Sequence, residues 1–314
     1  MDSPLDEAAE FSVEVYSDRD AWLVARRSGI GGSDAPALWQ QKNPLVASFG
    51  SPYSVWASKQ STGEEVTDEE EAEWLEIGRE MEPVIASMYQ RRTGRSLIYP
   101  GPTTILRSKK WPFMFVSVDR IIDDQEEGRG ILECKNRHFS KIKDWSGDSS
   151  PIEVQIQVGH AMAVTGFAYG VAAAIVGGSR FRFQEIRRSE DFVAAHVDLC
   201  SEFWRLVESG TPPPVDGSRK TAETLARLFP EDNGESIALP PGSEEWDEQY
   251  RQANEMLAEA MALKTEAQNK IRAAMATASV GVLPSGARWS NRLVRRAAHM
   301  VEASESRTLR RSGK

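Results

Sequence analysis

Residues 128–136 read GRGILECKN, and the reading of this stretch decides the fold. Gly130 to Cys134 has the character of a strand with a buried Ile131-Leu132 pair. On a strand, residues two apart point to the same face. Glu133 and Lys135 therefore share one face and Cys134 takes the other. A surface ion pair accounts for that pairing, and so does a metal-dependent phosphodiesterase site. The residues around the stretch have to decide between them.

Upstream, the apolar run FMFVSVDRII (113–122) reads as a second strand, joined to the first by the polar turn DDQEEGR. Asp119 lies fourteen residues before Glu133. An antiparallel pair with a turn of this length brings the two carboxylates close together. Two carboxylates on one buried face repel each other unless a cation neutralises them. Mg2+ suits such a site, because it takes carboxylate and backbone oxygens and keeps several waters. Lys135 is then placed to orient or deprotonate an attacking water, or to steady a phosphate.

Farther out, the periodicity alternates between helical and extended segments. Ser17 with Asp20 opens a helix, and GIGGSDAPALW follows as a glycine turn with Ser33 capping a short helix. SPYSVWASKQSTG has Ser51 as cap, Pro52 in the first turn and Gly63 at the stop. Thr67 and Glu70 form a capping box for a helix that runs to about Thr93 and ends at Gly94. Its apolar stripe is Trp74, Ile77, Met81, Val84, Ile85 and Met88. TTILR is a further strand. PIEVQIQVGHAMAVTG is a helix, YGVAAAIVGG and RFRFQEIRR are strands, and a helix follows from about Ser189 to Ser209. This order predicts an α/β fold with a central mixed sheet flanked by helices.

Four segments are expected: an N-terminal tail (1–16), a core (17–210), a linker with the short helix TAETLARLF (211–243), and a C-terminal extension (244–314). The extension holds a long Ala-rich helix to about Thr277, a hairpin around Pro284-Ser285-Gly286 and a disordered final dozen residues.

The chain of 314 residues carries a net charge of −9, which weighs mildly against a nucleic-acid partner. The distribution softens that argument. Glu64 to Glu76 holds eight acidic and no basic residues, whereas Ala86 to Trp145 holds twelve Lys/Arg against seven Asp/Glu. Gly286 to Lys314 holds eight against two. One side can repel DNA while another attracts it. No apolar run approaches the ~20 residues that span a bilayer, and the acidic start lacks a signal core. Cys134 and Cys200 form no disulfide framework or zinc spacing, so buried free thiols in a reducing cytosol are expected. His138, His160, His196 and His299 are scattered, without metal-ligand spacing.

Asp119 followed by Glu133-x-Lys135 resembles the PD-(D/E)XK nuclease motif. Taken with RRSGIGGSDAPALW, GREMEPVIASMYQRRTG, VSVDRII and VQIQVGHAMAVTG, in this order, it resembles the phage lambda exonuclease family of YqaJ-type viral recombinases. The resemblance covers residues 17–209. It implies a PD-(D/E)XK core and an Mg2+-dependent exonuclease (Mn2+ able to substitute). Such an enzyme degrades duplex DNA 5′ to 3′ from an end and leaves a 3′ overhang for a single-strand annealing partner. It implies metal ligation by Asp119, Glu133, Glu82 and the carbonyl of Cys134, a catalytic Lys135, and a supporting amide at Gln155. It also implies a grip on the terminal 5′-phosphate by Arg26 and Ser33. Asp34 places an opposing charge beside that pocket. A trimeric ring and a location in the cytoplasm of a bacterial host complete the implication. Two other readings stay open: an end-independent endonuclease of the same superfamily, and an inactive scaffold that binds DNA ends.

Overall fold

The computed structural model describes residues 10–61, 69–146 and 149–295. The expected stop at Gly63, the capping box at Thr67 and the final dozen residues lie outside them. The chain divides into two compact units, Met1–Leu228 and Phe229–Lys314.

The first unit is built on two sheets. Strands β1 (Phe11–Val15), β3 (Thr104–Ser108) and β4 (Phe115–Val116) form an antiparallel sheet in the order β1-β3-β4. Strands β2 (Ser96–Ile98), β5 (Arg120–Asp124), β6 (Gly128–Arg137), β7 (Tyr169–Val176) and β8 (Arg180–Arg187) form the central sheet in that order. The β6–β7 pair is parallel and every other pair is antiparallel. A parallel pair needs a crossover, and α5 (Ile152–Thr165) supplies it. β7 is buried along its whole length, as expected of a strand covered on both faces. Its Gly170 and alanines keep the strand thin, and a Cβ on Gly170 would stand 2.4 Å from Val158 Cγ1 of α5.

Each face of the central sheet meets a different helix. α4 (Glu69–Thr93) lays Ile85, Ala86 and Tyr89 against Leu132, Cys134 and Val171. On the opposite face α5 sets Val154, Val158 and Met162 over Ala172 and Ala174, while Ala161 joins the cluster that contains Ile131. Glu133 and Lys135 follow Ile131 by two and four residues, so they belong to the α5 face. Around this core pack α1 (Arg19–Ala25), α2 (Ala35–Trp39), α3 (Pro52–Gln60), α6 (Glu190–Glu208) and α7 (Arg219–Leu228). Ser51 caps α3 in a reciprocal box with Ser54, and Gly94 ends α4 at φ +75°.

Several expectations are corrected. Phe11–Val15, expected in the tail, is a strand of the small sheet, anchored by the fully buried Phe11. Asp18, not Ser17, caps α1, accepting from Ala21 N–H. The run 113–122 does not form one strand. β4 and β5 sit in different sheets, and Asp119 lies in the break between them. The α4 stripe divides, with Met81, Ile85 and Met88 packed inward while Trp74, Ile77 and Val84 stay exposed. α7, expected within a linker, belongs to the first unit, where Thr221 Oγ1 donates to Ser51 Oγ of the α3 cap at 2.7 Å.

The second unit consists of α8 (Ser243–Met275) and the hairpin β9 (Val280–Val282)–β10 (Arg288–Ser290), with Gly286 at φ +85° in the turn. Met275 lies against Gly281 and is the buried residue of the helix.

Candidate active site

The register Arg120↔Leu132 sets Asp119 beside Glu133 at the open end of the β5–β6 pair. The Asp119 carboxylate occupies a ladder position in place of a backbone oxygen: its Oδ2 accepts the Cys134 N–H at 2.6 Å. In an antiparallel pair a residue's N–H and C=O point to the same side, so the Cys134 carbonyl also faces Asp119. The Cys134 side chain is packed in the α4 cluster. Burial and the charges of Asp119, Glu133 and Glu82 push its thiol well above the usual range, which keeps it protonated.

Three carboxylates converge here. Burial, then the negative charges of Glu133 and Glu82, hold Asp119 well above the ordinary carboxylate range. Glu82 is raised for the same reasons, by burial first and then by Glu133. Lys135 Nζ reaches Glu133 Oε1 at 2.6 Å, and Arg120 stands 4.2 Å over the Tyr99 ring while donating to the Asp119 carbonyl. Glu82 sits one residue before Pro83, which lies inside α4 without ending it. Three crowded acids with a facing carbonyl make an all-oxygen donor set under electrostatic stress. That is the chemistry a hard divalent cation relieves, so the residues present fit Mg2+.

The predicted amide is placed differently. Gln155 Nε2 donates to the Ser150 carbonyl at 2.6 Å, and Ser150 Oγ bonds Gln184 on β8, two strands away from β6. Gln157 shares a helix stripe with Ala161, the residue packed in the cluster with Ile131 on the acid-bearing face of β6. Its Oε1 is buried and, among the described residues, has no hydrogen-bond partner.

The glycine turn lies beside this centre. Arg26 donates to Ser33 Oγ at 2.9 Å and stacks 4.6 Å over the Trp22 ring. Trp22 Nε1 donates to Ser117 Oγ at 3.2 Å, and Ser117 lies two residues before Asp119, which ties the two regions together. Ser33 is not the cap of α2; Asp34 precedes the helix, and its side chain caps nothing there. Instead Asp34 Oδ2 accepts the Gly31 N–H at 2.9 Å and Lys59 Nζ at 2.8 Å. Lys59, only 5% exposed at its side chain, also reaches the Arg26 carbonyl. The cautionary charge of Asp34 is thus cancelled locally, and its carboxyl is held low by Lys59 and Arg26 against the opposing effect of burial. Gly29 permits the close approach, since a Cβ there would stand 2.8 Å from the Phe113 carbonyl.

The histidines that are scattered in sequence meet in space. Side-chain ligand atoms of His160, His196 and Cys200 lie within 4.8 Å of one another. A metal is not what gathers them. Trp39 Nε1 can only donate, so His196 Nδ1 accepts (2.9 Å). His196 Nε2–H then faces His160 Nδ1 (2.8 Å), and His160 Nε2–H faces the Phe115 carbonyl (2.9 Å). Both imidazoles are neutral and both lone pairs are spent. The relay fastens α2, α6 and α5 to β4, directly behind the glycine turn.

Trp22, Ser117 and Lys59 escape a reading of the sequence. Their roles come from contacts up to 95 residues apart. Gln157 alone carried a local signal, its helical spacing to Ala161.

A YqaJ-like viral recombinase domain model matches residues 21–168, a span that holds Arg26, Ser33, Glu82, Asp119, Glu133, Lys135, Gln155 and Gln157. The chain is 30% identical over 269 residues to the uncharacterised protein YqaJ of Bacillus subtilis (strain 168), covering 84% of this chain and 81% of that one. Among solved structures it is similar to LHK-Exo, an alkaline exonuclease from Laribacter hongkongensis, with 16% identity and a TM-score of 0.48. That match covers 67% of this chain and 100% of that one. LHK-Exo in complex with dAMP matches at the same identity and TM-score over 68% of this chain and 98% of that one. No helix among the described residues is long and apolar enough to cross a membrane.

Proposed function

The chain belongs to the YqaJ-like viral recombinase family, and from that premise we propose that it is a metal-dependent exonuclease acting on the ends of double-stranded DNA. The observation that carries this reading is the convergence of Asp119, Glu133 and Glu82 with Lys135 on the β5–β6 end. Asp119, Glu133, Glu82 and the Cys134 carbonyl would hold Mg2+, with Mn2+ as a substitute. The ion, when bound, supplies charge neutralisation for the phosphoryl group and acidifies water. The protein side of the reaction falls to its own residues. Lys135, held at 2.6 Å from Glu133, orients the attacking water and offers a cation to the phosphate. The amide role moves from Gln155, whose Nε2 is held by the Ser150 carbonyl, to Gln157, whose buried Oε1 has no hydrogen-bond partner among the described residues. Arg26 and Ser33 grip the 5′-phosphate of the terminal nucleotide, an interaction that selects an end over internal positions.

Removal of the 5′ strand then leaves a 3′ overhang for a single-strand annealing partner. A trimeric ring around the duplex would keep the enzyme on its track. The proposed catalytic residues all fall in the first unit. The site's proximity to the phosphate pocket supports 5′-to-3′ polarity. A linear duplex labelled on one strand at a time tests this: the 5′-ended strand is released as mononucleotides while the 3′-ended strand persists. Release from the 3′ end overturns the polarity.

A further inference from the structure

α8 carries a second pattern that the nuclease reading does not use. Apolar side chains as large as Trp246, Leu257 and Leu263 stand 57–68% exposed along it. The seam follows a four-three alternation. Tyr250, Leu257 and Lys264 recur every seven residues in one column, and Ala253, Ala260 and Ala267 recur every seven in the other. A seven-residue repeat is the signature of helix-on-helix coiling, with the two columns as its core positions. Met256, Met261 and Leu263 flank the seam and widen it. The β9–β10 hairpin lies over the last turn, where Ile271 and Met275 line a recess with Trp289, so the open seam runs from Tyr250 to Ala267.

The size alternation chooses an orientation. In a parallel pair, large residues would face large ones and alanines would face alanines, leaving alternate layers crowded and hollow. In an antiparallel pair, each layer sets one large residue against one alanine, so every layer has the same width. Charge makes the same choice. Residues 243–256 carry five acids and one base, whereas residues 262–275 carry one acid and three bases. Antiparallel halves attract and parallel halves repel.

We propose that α8 is a self-association element, pairing antiparallel with α8 of a second copy of the chain, with Leu257 packed on the partner's Ala260 and Ala253 beside the partner's Lys264. Such a pair has two-fold symmetry and joins two chains, or two rings, through their appendages.

Variants of the full chain that each add one exposed cysteine to the buried native Cys134 and Cys200 test it. Mild oxidation of an Ala253→Cys and Lys264→Cys mixture yields the mixed disulfide dimer, while each variant alone stays uncrosslinked. Like positions lie eleven residues, ~16 Å, out of register in the antiparallel pair. Leu257→Glu, with helicity unchanged by circular dichroism, halves the mass of the assembly in sedimentation. Homodimeric disulfides from each variant alone mean a parallel pair and overturn the proposal. No mixed disulfide, or an unchanged mass in Leu257→Glu, overturns it as well and assigns the face to packing within one chain.

Discussion

Asp119 accepts the backbone N–H of Cys134 at 2.6 Å, a ladder bond made by a side chain where the strand's own backbone has turned away. That bond aims the carboxylate along the β6 edge into the charge of Glu133 and Glu82, and all three acids stay crowded at a cost in stability. Asp119→Asn keeps the acceptor and removes the charge. The metal-free variant is therefore expected to gain on the order of 1 kcal/mol of stability, while losing cleavage. Thermal unfolding with and without Mg2+ reads both arms. The parent chain is stabilised by Mg2+ and the variant is not.

Gln157 and Gln155 separate by kinetics. Gln157→Ala is expected to lower the turnover rate about 10²-fold with duplex binding retained, because it removes the buried amide oxygen that has no hydrogen-bond partner among the described residues. Gln155→Ala severs a contact to the Ser150 carbonyl and is expected to leave turnover within a few-fold of the parent.

The phosphate pocket gives a specificity prediction. Arg26→Lys loses the planar fork, and the preference for 5′-phosphorylated over 5′-hydroxyl ends is expected to fall about tenfold. Lys59→Met acts through folding instead: it strands the Asp34 carboxylate, 16% exposed at its side chain, and costs roughly 3–5 kcal/mol. Adding Asp34→Asn to Lys59→Met returns part of that loss, measured by denaturant unfolding.

The His160–His196 relay sets an acid limit. Burial depresses both imidazoles below their ordinary value, His196 the further, helped by His160. A base held neutral in the fold contributes stability that is full above its unfolded value of about 6.5 and is lost as pH falls below it. Two such groups give a slope of up to about 2.7 kcal/mol per pH unit. Unfolding midpoints measured from pH 7.5 to 5 are expected to show it, and His196→Gln roughly halves the slope.

How far the sequence speaks depends on the reach of each interaction. The α5 crossover, its Gly166 stop at φ +76°, the β7–β8 pair and the Asp119, Glu133, Lys135 set were legible because period, turn and motif are local. The split between β4 and β5 was not. Phe113 to Ile122 is continuously strand-like, and only the competition between two sheets breaks it at Asp119. The neutralising of Asp34 by Lys59, twenty-five residues on, and the meeting of His160 with His196 were invisible for the same reason. Gln155 is named by motif position, and its hydrogen bond to the Ser150 carbonyl carries no signal in the sequence.

The central claim is metal-dependent digestion from DNA ends by the Asp119–Glu133–Lys135 centre. Its direct measurement is nucleotide release from one duplex supplied linear with 5′-phosphates or covalently closed, with Mg2+ or with EDTA. The expected result is release from the linear form in Mg2+ alone, abolished by Lys135→Ala while DNA binding is kept. Equal cutting of the closed circle, or undiminished cleavage by Lys135→Ala, contradicts the account.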